Sequence, residues 1–130
     1  MDKQRTKYTT VRVGENFAVV RPDHRLVGDK ETDEFQAIVK QLNEEQLAFM
    51  VVDLGAIDWI SSPGIGALVD AHQRFAKRGA SVFLARVDKR INNLLIITKP
   101  SLVFDVFTTV DDAIVAGGKK SGKIPETPSA

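Results

Sequence analysis

The chain has 130 residues, no cysteine, and 18 lysines and arginines against 17 aspartates and glutamates, a formal net charge of +1. One domain's worth of sequence, 43% hydrophobic and 27% charged, excludes wholesale disorder, and the missing cysteine excludes disulfide frameworks, thiolate zinc sites and cysteine nucleophiles. No apolar run approaches the roughly 20 residues that span a bilayer, and MDKQRTKYTT lacks a signal-peptide core, which points to a cytoplasmic protein without a membrane partner.

The charge divides unevenly. Residues 1–7 and 117–130 each hold three basic residues and one acidic, leaving 12 basic against 15 acidic in the body between them. That body has no basic footprint for nucleic acid. Residues 1–7 read as a flexible N-terminus, 8–116 as one folded domain, and 117–130, which opens with Gly117-Gly118, as a flexible basic tail.

Tyr8 to Val13 and Phe17 to Arg21 read as two strands across a Gly14-Glu15-Asn16 turn. From Glu31 the period changes: Phe35, Ile38, Val39 and Leu42 share one helix face. Phe49 to Leu54 is the clearest strand, too apolar to have a wet face. A helix opening near Pro63 carries Ile65, Leu68, Val69 and His72 on one face and stops at Gly79. Ser81 to Ala85 is a buried strand, and Arg90 to Thr98 is a helix ended by Lys99-Pro100. A strand near Val103 to Phe107 and a helix over Asp111 to Ala116 complete the set. Strand and helix alternate with short connections. The fold class is therefore α/β: a mixed, mostly parallel sheet with helices packed on it and an antiparallel N-terminal edge strand.

The segment Ser61-Ser62-Pro63-Gly64-Ile65-Gly66 lies between a strand and a helix, where α/β folds gather ligands and modifications. Ser62 followed by Pro63 predicts an N-cap and a first helical residue, a role that needs no further function and contributes about 1 kcal/mol. A phosphate on Ser62 would also suit this place, since a dianion is favoured at the positive end of a helix. Gly64 and Gly66 keep the first turn bare for a partner's backbone. Asp53, ending the preceding strand, is either a support for the loop or a plain strand-end cap.

The order Val52-Asp53-Leu54, Ser61 to Gly66, Arg78-Gly79 and Asp111-Asp112-Ala113-Ile114 resembles the STAS domain of anti-sigma factor antagonists. The resemblance covers roughly Phe17 to Ala116. It implies a non-enzymatic switch without cofactor or metal. In that family the unphosphorylated protein binds an anti-sigma factor that is also a serine kinase. Phosphorylation ends the association and a serine phosphatase resets it. The glycine pair places the phosphoacceptor at Ser62, with Ser61 as the fallback. Partner contact then falls on Ser61, Ser62, Pro63, Gly64, Ile65 and a second segment at Gly28 and Asp29. Two departures stand out: Ser61 replaces the family's aspartate, and Pro63 replaces a small residue. They leave open an alternative in which the domain is an unphosphorylated scaffold or sensor acting by protein binding alone.

Enzyme readings find less support. Gly64-Ile65-Gly66 lacks the third glycine of a dinucleotide fingerprint. Asp53 has only Asp23 as a companion for a receiver-type metal site. Ser62 lacks the flanking glycines of a hydrolase elbow, and His24 and His72 are far apart in sequence. Trp59 is either an exposed anchor for a partner or core packing at the strand's end.

Overall fold

The computed structural model describes residues 2–98 and 104–120. Six strands form one sheet in chain order: β1 (Asp2–Arg5), β2 (Thr9–Val13), β3 (Phe17–Pro22), β4 (Phe49–Asp53), β5 (Ser81–Ala85) and β6 (Asp105–Phe107). The helices are α1 (Lys30–Glu44), α2 (Ser62–Ala76), α3 (Lys89–Thr98) and α4 (Val110–Lys120). β1 to β3 pair antiparallel, and β3 to β6 pair parallel through the helical crossovers. The mixed, mostly parallel α/β sheet expected from the alternation is the one observed.

Two cores sandwich this sheet. Alternation along the strands sends Val11, Ala18, Val20, Met50, Val52, Val82 and Leu84 to one face, where Phe35, Val39 and Leu42 of α1 and Ile65, Leu68 and Phe75 of α2 cover them, with Ile91 and Leu95 of α3. Phe17, Val19, Phe49, Val51, Phe83 and Ala85 point the other way, against Ala113 and Ile114 of α4. All five residues of β4 are buried, as its continuous apolar run requires. Stacked and edge-on rings of Phe17, Phe49, Phe83 and Phe107 run across the sheet beneath α4.

Three boundaries differ from the sequence expectation. Residues 2–5, expected within a flexible N-terminus, form β1 and lie outside β2, so the antiparallel edge gains a strand. Its alternation of charged and polar residues offers no apolar period to read. The last helix runs past Ala116 to Lys120, with Gly117 and Gly118 buried inside it. A Cβ at Gly117 would overlap the Phe49 ring, so this glycine permits close helix–sheet packing where composition suggested a stop. β6 begins at Asp105, while Lys99-Pro100 and residues 121–130 fall outside the described residues.

Candidate functional site

The N-terminus of α2 meets the loop after β3. Ser61 is extended (φ −91°, ψ 173°), and its hydroxyl accepts the Gly64 N–H at 3.4 Å and donates to the Leu26 carbonyl at 3.3 Å. Its backbone N–H donates to the same carbonyl at 3.0 Å, next to a parallel bridge between Leu26 and Ile60. Ser61 is therefore the N-cap, which corrects the assignment of that role to Ser62. Ser62 and Pro63 are the first two helical residues, both exposed, and no hydrogen bond engages the Ser62 hydroxyl among the described residues. One helical residue of difference separates a structural serine from an accessible one. Ser61→Ala should thus lower stability by about 1 kcal/mol and Ser62→Ala by close to nothing, read from paired thermal melts.

The loop comes to the helix because Gly28 takes a left-handed backbone (φ 88°), and a Cβ there would stand 2.8 Å from the Pro63 Cβ. The sequence-predicted Gly28 and Asp29 are in this way brought beside Pro63. Glu31 holds the loop in shape. Its carboxylate accepts the N–H groups of Val27 (3.0 Å), Asp29 (3.1 Å) and Thr32 (2.9 Å) and the Thr32 hydroxyl (2.5 Å). Burial alone would raise its pKa, but the hydroxyl and backbone donors outweigh burial and hold it down to about 2. Asp29 caps α1 through its backbone position only, and Glu31 satisfies the donors that a cap side chain would otherwise take.

On the far side, Asp53 accepts the Gly55 N–H at 3.0 Å and a two-pronged contact from Arg86 at 2.9 and 3.1 Å. The geometry favours the loop-support reading of Asp53. Arg25 and Asp58 are joined by a second two-pronged pair at 2.7 and 3.1 Å, which holds the Asp58 carboxylate below its ordinary range. It ties the 25–29 loop to the 55–60 loop across an open cleft of about 720 Å³.

Two sequence expectations change here. Ile65, expected at the contact surface, is 3% exposed and belongs to the core. Gly64 is buried against Leu26 rather than bare. The exposed surface instead contains Ser62, Pro63, Gly66, Val27 and Trp59, the last two each 42% exposed, so Trp59 is not core packing. Sequence reasoning missed Glu31 and Arg86. An acid in the first helical turn reads as ordinary dipole chemistry, and only the turn at Gly28 folds the donors around it.

His24 packs edge-on against Tyr8 and His72 against Phe104, and among the described residues no three acidic or imidazole side chains gather as a metal site. No described helix is long and apolar enough to cross a membrane.

The STAS domain family model matches residues 8–113, nearly the whole folded body. The chain is a STAS domain. Solved structures with the same fold include an anti-sigma-factor antagonist (STAS) domain protein from Planctomyces limnophilus, at TM-score 0.73 and 18% identity, covering 85% of this chain and 97% of that one. A sulfate transporter family protein from Wolinella succinogenes gives TM-score 0.74 and 17% identity over 86% and 93% of the two chains. The Bacillus cell fate determinant SpoIIAA in its phosphorylated form gives 0.67 and 11% over 82% and 96%. No curated protein matches by sequence. At these identities the likeness to solved structures is one of fold, which anti-sigma factor antagonists and a sulfate transporter family protein share.

Proposed function

We propose that this STAS domain is a cytoplasmic anti-sigma factor antagonist that binds its partner through the α2 N-terminus and is released by phosphorylation of Ser62. The observation that carries this reading is the division of labour between neighbouring serines. Ser61 is committed to the cap and to Leu26, while Ser62 presents an unengaged hydroxyl at the positive end of a 15-residue helix. Val27 and Trp59 supply exposed apolar area close to the loops that flank it, the composition of an interface centre. A dianion placed there would add a desolvation penalty to that interface. The partner in this reading is an anti-sigma factor with serine kinase activity, and a serine phosphatase resets the switch. No catalysis by the domain itself enters it.

The two departures from the family pattern have different weights. Serine and aspartate are comparable N-caps, so Ser61 keeps the geometry that the family's aspartate would provide and loses only its charge. Pro63 at the second helical position removes one backbone donor that a phosphate would otherwise use, and this favours the second reading, a scaffold that binds without modification.

Mass-spectrometric phosphosite mapping on protein from growing and stressed native cells separates the two. The switch requires condition-dependent phosphate at Ser62, retained in Ser61→Ala and lost in Ser62→Ala. Uniformly unmodified Ser61 and Ser62 would transfer the function to the scaffold reading.

A further inference from the structure

The face of the sheet opposite α1 and α2 is only half covered. α4 packs over β4, β5 and β6 and reaches Phe17 and Val19 of β3, whereas among the described residues no helix packs over β1 and β2 on that face. Register puts Lys3 directly opposite Arg12, Arg5 opposite Thr10, and Thr10 opposite Arg21, so all these side chains share that open face. Among the described residues Lys3, Arg5 and Arg12 form no ion pair, whereas Arg21 is held by Asp23 at 2.8 Å. Lys3, Thr10, Arg12, Val19, Arg21 and Asp53 line a cavity of about 170 Å³. Val19 is 3% exposed and forms its apolar floor, and the Asp53 carboxylate, also in the lining, is paired with Arg86.

Like charges set directly across two strands oppose pairing, so Lys3 against Arg12 is a local cost, and the nearby carboxylates of Asp23 and Asp53 are paired with Arg21 and Arg86 rather than with either of them. An anion in the cavity would offset it. The space admits a tetrahedral oxyanion and not a nucleotide, and no aromatic ring lines it for a base to stack on. We propose that this cavity is a binding site for a phosphate-type oxyanion, free or carried as a phosphomonoester headgroup, with Lys3, Arg12 and Arg21 as its charged donors. The site stands independently of the switch at Ser62, which belongs to the other side of the sheet.

The test is an amide-shift titration of the isotope-labelled full chain with inorganic phosphate, chloride keeping the ionic strength constant. Saturable shifts confined to Lys3, Thr10, Arg12, Val19 and Arg21 are expected. The Lys3→Gln/Arg12→Gln double variant should lose at least about tenfold in affinity, as the removal of charge-assisted hydrogen bonds dictates. Its melting temperature without phosphate should equal or exceed the parent's, because a repulsion has been removed, and Arg12→Gln alone repeats the test with less change to β1. A second arm floats the protein with phosphatidylcholine vesicles with or without phosphatidic acid. Flotation that needs phosphatidic acid and fails in the double variant assigns the headgroup, and saturation by free phosphate without flotation assigns the free anion. Responses in both arms no larger than in the chloride and plain-lipid controls, or a double variant that binds like the parent, overturn the proposal.

Discussion

Glu31→Gln should flatten the acid side of the domain's stability profile. In the folded protein burial opposes the charge on Glu31, but the Thr32 hydroxyl and the donors of Val27, Asp29 and Thr32 hold its pKa down to about 2 from an ordinary 4.5. A carboxyl depressed by folding stabilises the native state fully above its unfolded pKa, and that contribution disappears as pH falls through the folded one. The window therefore lies between about pH 4.5 and pH 2. Across it the parent should lose at most about 3 kcal/mol from this group, while the glutamine variant loses none of it. At neutral pH the variant should already be less stable by on the order of 1–3 kcal/mol, since neutral oxygen is the weaker acceptor for so many donors. Urea unfolding at a series of pH values measures both effects. Parallel pH profiles for parent and variant would mean that Glu31 does not organise the 27–29 loop.

Alanine substitutions two residues apart in α2 should move stability in opposite directions. A Cβ at Gly64 would intrude on the Leu26 carbonyl oxygen and the Ile60 side chain. The carbonyl is fixed by the Ser61 N–H and by the bridge to Ile60, so it cannot yield without opening the junction between loop and helix. Gly64→Ala should cost about 1–3 kcal/mol, the range for overpacking a filled interior. At Gly66 a Cβ would meet nothing within 4 Å, and alanine there should stabilise the helix by about 0.5–1 kcal/mol. For a domain of this size each kcal/mol is roughly 3–6 °C in Tm, so calorimetry resolves the pair. The fold needs Gly64 and has no use for Gly66. Under the proposed function that surplus glycine is surface kept low for a partner, and Gly66→Ala should then weaken the partner complex while raising Tm. A Gly64→Ala variant that melts with the parent would refute the packed junction.

The elements that periodicity could reach were legible in the residues. The α1 stripe of Phe35, Val39 and Leu42 and the unbroken run of β4 are patterns of burial, and burial is what sets those elements. β1 was not legible, because Lys3, Gln4 and Arg5 are all exposed and the strand exists through backbone pairing to β2. Gly117-Gly118 misled for a related reason: composition reports what glycine does in isolation, whereas here it lets α4 lie against Phe49. At the site, the choice of cap turned on which serine the chain reaches while still extended. That is a tertiary matter, decided by the Leu26 carbonyl thirty-five residues upstream of Ser61. Ile65 went to the core because an apolar residue at the fourth helical position follows the same stripe as Leu68 and Phe75.

The sheet's spatial order is also the chain's order, and this has a consequence for how the domain is made. Each strand docks beside the one synthesised just before it, and no slot has to be left open for a later arrival. Loop-closure entropy is then met in small, successive steps. A chain leaving the ribosome at about 5–20 residues per second has time to seat β1 to β3 and α1 before β4 emerges. The last described element, α4, closes over the aromatic rings of Phe49 and Phe83 and seals the second core. A nascent chain stopped before Val110 would therefore expose that ring cluster, and this is where chaperone binding during synthesis should concentrate.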